Sequence, residues 1–135
     1  MIFYDQKILS DPENNIVGDC YRACLASLIP VPYDNIPHFA ELYSHDMFRE
    51  AREWLIDNYH IYTLDIYLND SQIDMFIIPE SNCLIFGKSP RNGRHAVIGK
   101  VNGWGIEIIH DPHPSRAGLL AGTRQLQFFH YGPML

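Results

Sequence analysis

Along residues 44–59 apolar side chains recur at spacings of three and four: Met47, Phe48, Ala51, Trp54, Leu55 and Tyr59. Asp46, Arg49, Glu50, Arg52, Glu53 and Asp57 take the opposite face, so the pattern predicts an amphipathic helix. The period then falls to two. Ile61, Thr63, Asp65 and Tyr67 alternate with Tyr62, Leu64, Ile66 and Leu68, as a half-buried strand requires. Short apolar runs bounded by turn formers predict further strands at 82–87, 95–101, 104–110 and 125–131, with Asn102-Gly103 as the hairpin turn joining 95–101 to 104–110.

Before the long helix the signals are punctuation. Ser10, Asp11, Pro12, Glu13, Asn14 and Asn15 make residues 8–17 a loop. Asp19 is a fair cap for a helix that opens at Gly18-Asp19, runs through Cys20, Ala23, Cys24, Ala26, Leu28 and Ile29, and is stopped by Pro30 and Pro32. Residues 37–43, with Pro37 in the first turn, predict a short second helix. Helices followed by a meander of mostly antiparallel strands predict an α+β fold, with the helices packed on one side of the sheet. The length of 135 residues suits one domain spanning 1–135.

Composition narrows the function classes. A formal charge of -6 argues against nucleic acid as the main partner, because neutralising phosphates needs a surplus of Lys and Arg. No run of 18 uncharged apolar residues occurs and the first residues lack a cationic stretch followed by an apolar one, so the expectation is a cytoplasmic protein without a membrane partner. The cysteine count of 3 implies no disulfide framework. Cys24 and Cys83 sit among apolar neighbours and read as core.

Cys20 is different because it falls in the first turn of a helix, where free amides and the terminal partial charge stabilise a thiolate, so its pKa is expected to fall. An imidazole alongside would complete a nucleophile and base pair. Of the 7 histidines, His95 stands at the start of an apolar strand just after the polar loop 88–94, held firmly yet open to solvent. The hairpin returns the chain so that Asp111 can approach His95 and orient it. The cluster of His110, Asp111 and His113 invites a metal reading, but Pro112 and Pro114 stiffen it and no zinc-type spacing is present, so neither metal nor cofactor is expected.

The segment 18–25 around Cys20, the later His95-Ala96-Val97-Ile98 and the closing Asp111-Pro112 resemble the Cys, His and Asp boxes of the papain-like superfamily, above all its compact bacteriocin-leader peptidases and small bacterial or phage proteins of the same group. The resemblance implies a cysteine peptidase, amidase or acyltransferase that works on a peptide, isopeptide or other amide through a Cys20 thioester, on a papain-like α+β scaffold. That superfamily commonly has a Gln a few residues before the Cys to help bind the oxyanion. This chain has none there, which leaves Asn14 or Asn15 for the role.

Arg22, Arg91, Arg94 and Arg116 flank these boxes in an otherwise acidic chain. Two explanations stand side by side: a recess for a substrate carrying an acidic group, with His113 shaping it, or ordinary ion pairing with surface acids. A second function class also stays open, a non-enzymatic binding or inhibitor protein that uses the basic-rimmed groove.

Overall fold

The computed structural model describes residues 2–69, 80–102 and 105–132. Within them lie α1 (Cys20–Leu28), α2 (Phe39–Tyr43), α3 (Met47–Tyr59), β1 (Ile61–Leu68), β2 (Ser81–Lys88), β3 (Arg94–Asn102), β4 (Gly105–His110) and β5 (Arg124–Tyr131). The elements agree closely with the periodicities, and the fold is α+β. Residues 44–46 form a separate 3-10 turn ahead of α3, with Ser44 at a φ of 52°. Gly103 of the expected hairpin turn and Trp104 of the expected strand lie outside the described residues.

The sheet is antiparallel throughout, in the order β1-β5-β2-β3-β4. The expected meander is therefore corrected: β5 returns from the far end of the chain and inserts between β1 and β2. It pairs with β1 along its whole length, from Ile61 opposite Tyr131 to Leu68 opposite Arg124. Against β2 it pairs only from Leu84 opposite Gln127 to Phe86 opposite Gln125.

Side-chain alternation makes β2 and β3 buried on both faces. Leu84, Ala96 and Ile98 belong to the core beneath the helices, with Leu25 and Ala23 of α1 and Leu55 and Ala51 of α3. Cys83, Ile85, Val97, Val101 and Leu126 belong to a second core on the opposite face. Each of these larger side chains removed from water stabilises the fold by about 1.5–3 kcal/mol. α1 is nearly all apolar and is buried at Tyr21, Ala23, Cys24, Leu25, Ala26 and Ser27, so its first turn is fixed against the sheet rather than left free to fray. Tyr21 adds a buried hydrogen bond of 2.8 Å from its hydroxyl to Gln127 Oε1 of β5.

Between β3 and β4 the pairing slips by one residue, from Gly99 opposite Ile108 to Ile98 opposite His110. Gly99 permits the slip: a Cβ there would lie 2.2 Å from Ile85 Cδ1 and 3.2 Å from the Glu107 carbonyl. Asp111 directly follows the shifted stretch, and its carboxylate reaches His95. Among the described residues no helix is long and apolar enough to cross a membrane.

Candidate active site

Cys20 is the first residue of α1, and Asp19 occupies the capping position, but the Asp19 carboxylate does not cap the helix. Fully buried, it accepts hydrogen bonds from the Ile8 N–H at 2.8 Å and the Tyr33 hydroxyl at 2.7 Å. The expected cap is thereby corrected: Asp19 ties the N-terminal segment and the turn at Tyr33–Asn35 to the start of α1, and its side chain accepts no hydrogen bond from the first-turn amides.

A cavity of about 480 Å³ opens over this turn, lined in part by Cys20, His95, Arg91, Arg94, His113 and Gln6. Cys20 is partly exposed and its thiol is free. Burial pushes it up to about 11, against the opposing pull of the Ala96 and Tyr21 backbone amides. The expected lowering by the helix terminus is thus reversed, because desolvation outweighs two amide hydrogen bonds. Cys24 lies one turn on in the apolar core, and its thiol is pushed well up by the same cause. Cys83 is buried in the second core.

His95, near the start of β3, is buried, and its Nε2 lies 2.7 Å from Asp111 Oδ1. A carboxylate only accepts, so Nε2 carries the proton and Nδ1 keeps its lone pair for a second partner. Burial lowers the His95 pKa below its ordinary value, and Arg91 lowers it further, although Asp111 pulls the other way. For Asp111 burial pushes upward, but the His95 hydrogen bond and the backbone N–H groups of His113 and Gly118 prevail and leave its pKa lowered. Those amides lie 2.9 Å from Oδ1 and 2.7 Å from Oδ2. The carboxylate is thus fixed on both oxygens.

His113 stands edge-on to His95, with ring centroids 6.2 Å apart, and its Nδ1 lies 2.9 Å from Ser115 Oγ. Arg91 donates to the same hydroxyl at 2.9 Å. Arg94 lies 4.9 Å over the ring of Phe86.

The remaining expected residues are elsewhere. Asn14 Nδ2 donates to Asp11 Oδ2 at 2.6 Å in an exposed turn, and Asn15 closes that turn with a left-handed φ of 55°. Neither lines the cavity, so both are corrected as oxyanion residues: the turn at Pro12–Asn14 points them outward. Arg22 turns away to Asp19, 3.9 Å off, and to the Tyr33 ring. Arg116 grips Asp5 at 2.5 and 2.8 Å and donates to the Asp111 carbonyl, so it fastens the N-terminal segment rather than facing the cavity.

Gln6 is the cavity residue that local reasoning missed. Its backbone N–H donates to the Pro112 carbonyl at 3.0 Å, beside Asp111, and its Nε2 donates to the Ile8 carbonyl at 2.8 Å. The side-chain Oε1 is buried without a partner. Gly18 makes room for it, since a Cβ at Gly18 would fall 3.2 Å from Gln6 Nε2 and 3.0 Å from the Ser10 nitrogen. The sequence carries no local signal of this because Gln6 enters the cavity that Cys20 lines by the chain doubling back, Asp19 N–H donating to the Ile8 carbonyl at 3.2 Å. Compared with protein-family models, with curated proteins and with solved structures, the chain finds no match in any of the three.

Proposed function

We propose that the chain is a papain-like thiol hydrolase or acyltransferase that acts on a peptide, isopeptide or other amide, with Cys20 as nucleophile, His95 as base and Asp111 as the group that orients the base. The observation that carries this reading is the joint presence, in one cavity, of a thiol at a helix N-terminus and an imidazole whose far nitrogen is fixed 2.7 Å from a carboxylate. The order helix, then His strand, then Asp, on an antiparallel sheet, supports the papain-like comparison.

In this mechanism the pair rests neutral. As Cys20 Sγ attacks the acyl carbon, His95 Nδ1 takes the thiol proton, and Asp111 stabilises the imidazolium that forms. The carbonyl oxygen becomes an oxyanion, received by the Cys20 backbone N–H and by the second Nε2 hydrogen of Gln6. Collapse breaks the C–N bond while His95 returns the proton to the leaving amine. Water, deprotonated by His95, or a second amine then attacks the thioester and releases Cys20 as the thiol.

The burial that keeps the Cys20 thiol protonated until about 11 also favours a second reading, a binding protein on the same scaffold. A panel of fluorogenic peptide amides separates the two. Turnover that disappears in Cys20→Ala supports the hydrolase, and saturable binding without turnover supports the binder.

A further inference from the structure

The cavity over Cys20 adjoins a second one of about 600 Å³, and Val17, Ala40, Met47, Phe86 and Arg94 line both. The second is walled further by Phe48, whose ring meets that of Phe86 edge-on at 5.0 Å. One cleft therefore leads from Cys20 and His95 past Arg94 to an apolar floor.

The charge along this cleft is opposite to that of the chain. The protein carries a formal -6, yet among the described residues the lining of both cavities includes Arg91 and Arg94 and no Asp or Glu. Ordinary ion pairing does not account for these two arginines. Of the five other arginines, Arg22, Arg49, Arg52 and Arg116 each have a carboxylate within 4.0 Å, and Arg124 lies outside both cavities. Arg91 has instead the Ser115 hydroxyl and Arg94 the face of Phe86, with no carboxylate for either among the described residues. Two guanidinium groups without counter-charges, lining the same cavity as Cys20, are a site for an anion.

Building on the amide chemistry proposed for Cys20, we infer that the cleft selects substrates with a carboxylate close to the scissile bond and an apolar side chain next to it. Arg91 and Arg94 receive the carboxylate, and Met47, Phe48 and Phe86 receive the apolar group. The charge does more than dock the substrate. Arg91 disfavours the imidazolium of His95, so an anion bound at Arg91 offsets that effect and eases proton uptake from Cys20.

Three dipeptidyl acyloxymethyl ketones, Leu-Glu, Leu-Gln and Leu-phosphoserine, test this by their rates of labelling at Cys20, read by intact mass. The expected result is a Leu-Glu rate about tenfold above Leu-Gln, shrinking as salt is added, with the ratio falling towards one in Arg91→Gln and Arg94→Gln. Both arginines are exposed, and thermal melts verify that the variants stay folded. Equal Leu-Glu and Leu-Gln rates in the unaltered protein, or a ratio that survives both substitutions together, would overturn the inference. A faster phosphoserine probe overturns the assignment to carboxylate.

Should no probe label Cys20, the proposed chemistry fails while the anion site is still decided. Fluorescent Leu-Glu and Leu-Gln peptide amides are then compared for binding to Cys20→Ala. An acidic preference lost in Arg94→Gln supports the site, and equal binding overturns it.

Discussion

Asp111 holds His95 by a single ring nitrogen: Oδ1 lies 2.7 Å from Nε2, and the backbone N–H groups of His113 and Gly118 keep the carboxylate from turning away. The partner thus sets the tautomer of the base as well as its orientation, since an ionised carboxylate cannot donate a proton to Nε2. Asp111→Asn replaces the acceptor by a group that can donate and lets the ring invert its tautomer. Turnover should fall by about 10²–10⁴-fold with KM little changed. A loss confined to KM would assign Asp111 to binding.

Activity should have one acid limb, set by His95. The base works only when neutral, and its pKa is lowered by burial, so kcat/KM should rise through a midpoint below about 6.5 and hold its value above it. The Cys20 thiol, pushed up to about 11 by burial, stays protonated through that range. Alkylation of Cys20 by iodoacetamide, which needs the thiolate, should therefore keep rising with pH. A plateau between about pH 5 and 8 would instead mark a preformed thiolate and imidazolium pair.

Gln6→Ala should lower kcat by about 10²–10³-fold, the usual cost of one lost oxyanion donor, with the fold retained. Gly18→Ala reaches the same group indirectly. Its new methyl would lie 3.0 Å from the Ser10 nitrogen and 3.2 Å from Gln6 Nε2 and press both out of place, so kcat should fall in the same direction by a smaller factor. Rates unaltered in Gln6→Ala would remove the side chain from the oxyanion site. Asn14→Ala and Asn15→Ala, both outside the cavity, should leave turnover within about twofold.

What could be read in the sequence was local. The three-and-four spacing within 44–59 and the alternation of 61–68 report a helix face and a strand face directly, and the bounds follow closely except that residues 44–46 form a separate turn ahead of the helix. The position of β5 between β1 and β2 is a long-range pairing with no local signature. The Asp111 approach to His95 was legible as a hairpin, but nothing in the residue pattern marks the one-residue slip between Gly99 and Ile98 that precedes it. Gln6 has no signature among the few residues before Cys20, because this oxyanion candidate arrives through the buried Asp19 to Ile8 contact. The helix terminus at Cys20 was visible, but the desolvation that outweighs it depends on how α1 packs.

The proposed chemistry depends above all on His95 activating Cys20. Its most direct test is the labelling rate of Cys20 by a peptidyl acyloxymethyl ketone at neutral pH, compared between the unaltered protein and His95→Ala, with the modified residue located by mass spectrometry. Modification confined to Cys20 and slowed by about 10²-fold or more in His95→Ala is the predicted result. Equal rates in the two proteins, or adducts spread over Cys24 and Cys83, would contradict it.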